Sequence, residues 1–222
     1  MTNKSTVLIT GTSGYIGKNL KEFFTSKGFD VVAPDRTDCN LSVIGSMTNY
    51  LSTLAKTGIA VDFIINNAAS QVVEEFKAMT PESIADIFQI NCNAIAESYA
   101  FVSKNNLQVK SILNISSIEA IHPRGGHANY GASKAALESL TRSAAVELAP
   151  TRSNALRLGL ISRPGIESSW PEGVNSWKKQ TPLSRLGEIK DVTQAAKFLL
   201  LSEWITGEIL TLDGGNSATP NW

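Results

Sequence analysis

Short apolar runs rich in β-branched residues recur along the chain: TVLIT (6–10), DVVAP (30–34), VDFIIN (61–66), SILNIS (111–116), NALRLG (154–159) and EILTLD (208–213). Several are apolar without alternation, the pattern of parallel strands covered on both faces. Between them, apolar positions fall at helical spacing. Ile16, Leu20, Phe23 and Phe24 recur at i, i+4, i+7 and i+8, and Gly28 stops that run. Segments 48–57, 81–105, 130–149 and 188–201 read the same way, and Thr80 stands as a helix N-cap ahead of Pro81. Alternation of strand and helix predicts an α/β doubly wound parallel sheet of about seven strands, with helices on both faces. Ligands of such sheets bind beyond the carboxyl ends of the strands. One long stretch, 163–187, has no clear period and is expected to be a functional loop that closes over a substrate.

Composition narrows the class. The 222 residues support one core, so a single domain over 1–222 is expected. Lysine plus arginine equals aspartate plus glutamate at 20 each, so no basic field draws nucleic acid. The polar start leads straight into a strand run, and no apolar run approaches a membrane span, so a cytoplasmic protein with no membrane partner is expected. Cys39 and Cys92 lie in no CxxC pattern and read as free thiols. His122 and His127 share a Gly-rich loop without carboxylates at zinc-site spacing, so no metal is expected.

Candidate chemistry begins at TGTSGYIG (10–17), between the first strand run and the first helix. Gly11, Gly14 and Gly17 let the backbone turn tightly and approach a pyrophosphate, whose charge a helix N-terminus favours. At the end of the second strand run, 18 residues beyond Gly17, stands Asp35. A carboxylate there hydrogen-bonds an adenosine ribose and repels a 2′-phosphate, whereas the adjacent Arg36 attracts one. NAD(H) is favoured on this balance, with NADP(H) as the alternative. Further along, SSIEAIHPRGGHANYGASK (116–134) places Tyr130 and Lys134 four apart, on one face of a helix that begins nearby.

With these residues in hand, the chain resembles the short-chain dehydrogenase/reductase family over nearly its full length. The landmarks are TGTSGYIG, NNAA (66–69), Asn91 in QINCNA, NISS (114–117), YGASK (130–134), PLSRLGE (182–188), ITGE (205–208) and DGG (213–215). The resemblance implies a Rossmann-like fold and a reaction that interconverts a secondary alcohol and a ketone. It implies Tyr130 as the general acid or base and Lys134 as the cation that lowers its pKa and holds the nicotinamide ribose. Ser117 would hydrogen-bond the substrate oxygen, and Asn91 would hold a water that links Lys134 to solvent. The dinucleotide would contact Gly11, Thr12, Ser13, Gly14, Tyr15, Ile16, Gly17, Asp35, Arg36, Leu41, Asn67, Ala68, Ala69, Tyr130, Lys134, Gly159 and Ile161. Ser117, Glu119, His127, Tyr130, Arg163 and Trp170 would face the substrate, a small polar molecule, anionic or sugar-like. Self-association is implied too, as a tetramer first and a dimer next, through the helices over 81–105 and 130–149.

Three departures from the family pattern bear on function. The spacing TGxxGxxG is that of the family's longer sugar-nucleotide enzymes, so an epimerase or dehydratase is one alternative, and a catalytically silent dinucleotide-binding regulator is another. Only four residues separate Arg36 from Leu41, where the family usually places a further helix, and Asn40 stands where an adenine-contacting aspartate is common. The family's R-V-N-A-x-x-P-G-x-I-x-T fits here in two registers. One matches Asn154 and Gly159 and puts Arg163 at the threonine, which touches the nicotinamide amide. The other uses Pro164 and Gly165 and puts Ser169 there.

Overall fold

Among the residues described, 4–219 in a computed structural model, six strands form one parallel sheet. The polar start at residues 1–3 and the last three residues lie outside that range. The strands are β1 (Thr6–Ile9), β2 (Asp30–Val32), β3 (Phe63–Asn66), β4 (Ser111–Ser117), β5 (Arg152–Leu158) and β6 (Ile209–Leu212), in the order β2-β1-β3-β4-β5-β6. About seven were expected. After β2 the chain folds back instead of adding one: Asp35 Oδ1 accepts the backbone N–H groups of Thr37 at 2.7 Å and Asp38 at 3.0 Å, a local turn that leads on to α2 (Ser46–Lys56).

The strand order reverses between β1 and β3, which opens a crevice at their carboxyl ends. Side chains leave each strand alternately to two helical layers, so an unbroken apolar run is buried on both faces. Leu8, Ile64 and Ile112 pack under α2, α4 (Ala94–Lys104) and α5 (Ala128–Glu147), with Leu51, Ile95, Val102 and Leu137. Val7, Ile9, Ile65 and Leu113 pack against α1 (Tyr15–Ser26) and α8 (Ile189–Leu201), where Leu20, Phe24 and Leu199 meet them. Each such fully buried side chain stabilises the fold by about 1.5–3 kcal/mol, which anchors the loops that carry the chemistry.

Two segments differ from the helices expected. The helix over 81–105 is divided: α3 (Pro81–Phe88) and α4 flank a π-helical turn at Gln89–Asn93. The Thr80 cap holds, with its hydroxyl accepting the Ser83 N–H at 3.2 Å. The irregular stretch 163–187 contains two short helices, α6 (Ile166–Ser169) and α7 (Pro171–Gln180), tied by Lys178 Nζ to Glu167 at 2.8 Å. Ile166, Val174 and Leu186 form a small core beneath them with Leu160 and Trp177, so the segment is seated rather than open. No helix of the described residues is long and apolar enough to cross a membrane, and no three His, Cys, Asp or Glu side chains among them gather to hold a metal ion.

Candidate active site

A cleft of about 540 Å³ opens at the carboxyl ends of β1 and β3. Its walls are the loop after β1 (Thr10, Gly11, Ser13, Gly14, Tyr15, Ile16, Gly17), the turn after β2 (Pro34, Asp35, Arg36, Cys39, Asn40, Leu41, Ser42), the loop after β3 (Asn67, Ala68, Ala69, Ser70) and Ile90, Ile161 and Arg163. Of the residues expected to hold the dinucleotide, Thr12, Tyr130, Lys134 and Gly159 stand off this wall.

The three loop glycines do different work. Gly11 has φ +70°, and a Cβ there would lie 2.7 Å from Ala68 Cα; one on Gly17 would lie 2.2 Å from the Gly11 oxygen. Gly11 is glycine because the β1 and β3 loops pack backbone to backbone, and Gly17 because the start of α1 packs on the backbone of the loop after β1. Asn67 locks that contact, donating to the carbonyls of Thr10 at 2.9 Å and Gly11 at 3.2 Å. Gly14 is different. A Cβ there meets nothing nearer than the Gly11 oxygen at 3.5 Å, so the space it leaves lies outside the protein. Gly14 is also the N-cap of α1, which has no side-chain cap and no acidic residue in its first turn. Free N–H groups and an open approach fit a pyrophosphate. The residues present therefore fit a dinucleotide.

At the β2 end of the cleft, the Asp35 carboxyl is held below its usual range by the Thr37 side chain and by the N–H groups of Asp38 and Thr37. Those bonds all go to Oδ1. Arg36 is exposed on the same wall with no ion-pair partner among the described residues, so both groups that bear on a 2′-phosphate stand at one end of the cleft.

At the other end, β4 carries Ser117 and α5 begins at Ala128, so Tyr130 lies in its first turn and Lys134 one turn further. The Tyr130 phenol lies near the Ser117 side chain, which favours its ionised form. Lys134 is buried and donates from Nζ to the Ile115 carbonyl at 2.8 Å, with Nζ 5.7 Å from the centre of the Tyr130 ring. Burial draws Lys134 down to about 8. Burial also pushes Tyr130 up to about 12; the Ser117 side chain opposes this and the Glu119 charge reinforces it. The expected lowering of the phenol by Lys134 is thus not met in the folded chain. Desolvation of the phenol dominates, and no effect of the Lys134 charge offsets it.

Asn91 lies in the π-helical turn and is fully buried. Its Oδ1 accepts the Ser70 N–H at 2.8 Å, while Nδ2 donates to the Ser70 carbonyl and the Ser133 hydroxyl at 2.9 Å each. The amide pins the β3 loop to α5, so its side chain has a structural task. Gly159 also has a packing reason: a Cβ there would fall 2.7 Å from the Trp177 ring and 2.9 Å from Asp213 Cα.

The residues expected to face the substrate divide into a loop group and a far wall. Glu119 follows Ser117, whose Oγ accepts its N–H at 3.2 Å. Its Oε2 is buried, and the nearest group able to donate to it is His127 Nδ1, 3.0 Å away. We place the proton of His127 on Nδ1, which satisfies that oxygen and turns the Gln71 amide, 3.3 Å away, to present its oxygen. Arg124 lies 3.9 Å from Glu119 and stacks on Trp170 with 4.3 Å to the ring centroid, which joins the loop to the 163–187 segment. Opposite, Arg163 lines the cleft, and no ion pair or side-chain hydrogen bond ties it to another described residue. Glu167, its nearest acid in the sequence, is taken by Lys178. β5 runs to Leu158 beside Ser117, and beyond it Ile161 and Arg163 line the cleft.

Comparison with known proteins agrees with this geometry. A family model described as Enoyl-(Acyl carrier protein) reductase matches residues 4–217. The chain is 29% identical over 234 residues to an L-xylulose reductase of Bos taurus, covering 96% of each. It is 30% identical over 221 residues to a 3-oxoacyl-(acyl-carrier-protein) reductase of Aquifex aeolicus, covering 95% of this chain and 87% of that one. Among solved structures, a 4-hydroxyisoleucine dehydrogenase complexed with NADH superposes with a TM-score of 0.90 at 22% identity, covering 98% of this chain and all of that one. At that identity the likeness speaks to fold.

Proposed function

The chain belongs to the short-chain dehydrogenase/reductase family and is an NAD(P)-dependent oxidoreductase of the CH–OH group, and we propose that it acts on a small polar substrate, anionic or sugar-like, with Ser117, Tyr130 and Lys134 as its catalytic residues. The observation that carries the assignment is the meeting of the Tyr130 phenol with Ser117 one turn from a buried lysine, next to a cleft fit for a dinucleotide.

A bound nicotinamide dinucleotide supplies the hydride. The chain's residues handle the proton and the oxygen. Held up to about 12, the Tyr130 phenol stays protonated near neutral pH and is ready to donate to a carbonyl oxygen. Ser117 Oγ accepts from Glu119, and its own proton, which in the folded chain favours the ionised phenol, would turn to that oxygen as charge develops on it. Lys134, anchored on Ile115, lies within reach of the first turn of α5 and there keeps positive charge close to the phenol. Asn91, through Ser70 and Ser133, fixes the β3 loop against that helix.

The substrate class rests on polarity. Glu119, Arg124 and His127 form the loop beside the catalytic pair, Trp170 stacks on that loop, and Arg163 stands free on the cleft wall. Such groups suit hydroxyls and carboxylates, whereas a site for long acyl chains would be lined with apolar side chains. NAD(H) is the favoured cofactor because Asp35 is ionised and rigid, while Arg36 has no partner that fixes it. We further expect a tetramer, or failing that a dimer. Apolar side chains stand exposed near α3 (Val72, Val73, Phe76, Ile84), at the end of α5 (Val146) and about α8 (Phe198, Trp204); a one-chain mass by light scattering would refute this.

The test of the chemistry is Tyr130→Phe. It is expected to abolish turnover of ketones while a titration with dinucleotide stays nearly unchanged. Near-normal kcat in that variant would overturn the mechanism.

A further inference from the structure

Beneath the catalytic residues lies a buried charge pair that the reaction does not use directly. Glu138 is one turn beyond Lys134 on α5 and 3% exposed. Its Oε1 accepts the Ser116 hydroxyl at 2.7 Å and Arg157 Nε at 2.8 Å, and its Oε2 takes a terminal nitrogen of the same arginine. Arg157 donates in turn to the Thr211 hydroxyl at 3.1 Å. In the sheet Ser116 is the partner of Arg157, and Arg157 the partner of Thr211. One carboxylate therefore joins the catalytic helix to three neighbouring strands, at the ends that face the site.

Stability alone is a poor reason for this arrangement. Two apolar side chains of similar volume commonly replace a buried ion pair at no loss, because the pair carries a desolvation penalty of several kcal/mol per ion. Its members are placed where geometry matters. Ser116 precedes Ser117, and Glu138 follows Lys134 by four residues. Resting on the chemistry proposed above, we propose that Glu138 and Arg157 are positioning residues that hold α5 in register on β4, so that Tyr130 and Lys134 meet Ser117.

The pair also shapes the charge at the site. Lys134 is faced by Tyr130 and Glu138 on its own helix, by Cys92 from the π-helical turn and by the Ile115 carbonyl from β4. Burial draws Lys134 down, and Cys92 and Glu138 oppose it. Glu138 in turn faces Ser116 and Arg157, and Arg157 also feels Asp213 and Glu208. Removing the carboxylate thus loosens the helix and lets the ammonium lose its proton at lower pH.

Three variants test this by steady-state kinetics across pH, with Tm measured on each: Glu138→Gln, Arg157→Met and the double variant Glu138→Leu with Arg157→Leu. Glu138→Gln is expected to lower kcat about tenfold or more with KM little changed, as small misplacements do, and to move the alkaline limb of the kcat profile to lower pH. Arg157→Met is expected to lose both Tm and kcat. The double variant is expected to regain Tm and remain slow. A double variant with the parent's Tm and kcat would show that the pair merely holds the fold, and a Glu138→Gln variant with the parent's kcat and pH profile would overturn the proposal equally. Tyr130→Phe serves as the control: turnover retained there sinks the chemistry itself, whatever the pair does.

Discussion

Lys134 points its ammonium at the carbonyl of Ile115, 2.8 Å away, and lies 5.7 Å from the centre of the Tyr130 ring, so the two residues share a helix face but not a hydrogen bond. The lysine is buried among groups that give its charge little company. That has a consequence for stability. Its pKa falls from an ordinary 10.5 to about 8 in the folded chain. Between those values the unfolded chain holds a proton that the folded chain has lost, so this residue's contribution makes stability rise with pH there. Below that window both states are charged and the burial penalty is complete.

Lys134→Met is therefore expected to be more stable than the parent near pH 7, with the gap in Tm narrowing as pH rises toward 10. Tyr130, pushed the other way to about 12, is common to both proteins and drops out of the difference. Parallel thermal melts check this. A gap that stayed constant or widened with pH would show that the lysine is not buried as a strained cation.

Gly14 and Gly17 separate ligand space from packing space. Gly17→Ala drives a Cβ to 2.2 Å from the Gly11 oxygen, against backbone that cannot yield, and is expected to destabilise the fold by about 1–3 kcal/mol or more. Gly14→Ala is expected to leave Tm nearly unchanged and to weaken dinucleotide binding about tenfold, because its Cβ enters the space through which a pyrophosphate approaches. Melting curves and fluorescence titrations on the two variants suffice. Undiminished binding by Gly14→Ala would remove the phosphate site from this loop.

Cofactor choice turns on Asp35 and Arg36. NAD+ is expected to bind more tightly than NADP+, and Asp35→Ala to narrow the gap, since the carboxylate repels a 2′-phosphate. Thr37 and Asp38 hold that carboxyl below its usual range, so the preference should persist down to mildly acidic pH. Tighter binding of NADP+ by the parent would make Arg36 the deciding group.

Arg163→Ala is expected to raise KM for a carboxylate or phosphate substrate about tenfold or more, the loss typical of a hydrogen bond to a charged group. Sugars, their acids and small hydroxy acids are expected to be turned over ahead of apolar ketones. An unchanged KM together with a preference for apolar ketones would refute both the role of Arg163 and the substrate class.

Much of this was legible in the chain because it depends on short-range geometry. Apolar runs and helical spacing located each strand and most helices, since alternation and the 3.6-residue turn are properties of the local backbone. The loop glycines, the N-cap at Thr80 and the spacing of Tyr130 and Lys134 are local in the same sense. The π-helical turn at Gln89–Asn93 and the helices α6 and α7 were not legible. The turn accompanies an asparagine whose partners, Ser70 and Ser133, lie 21 and 42 residues away. The two short helices owe their seat to Leu160 and Leu186.

By itself, then, the sequence determined the kinds of element, their order, the place of the glycine loop after β1 and the family, all through patterns that neighbouring residues complete among themselves. Only the tertiary structure decided the charges. Arg157 lies in the apolar run NALRL and Glu138 four beyond Lys134, and their pairing needs the register of β4 on β5 and the seat of α5 above them. The same holds for the phenol and the ammonium. Their pKa values follow from how much water the fold removes around them, and desolvation is set by groups remote in sequence that no local pattern names.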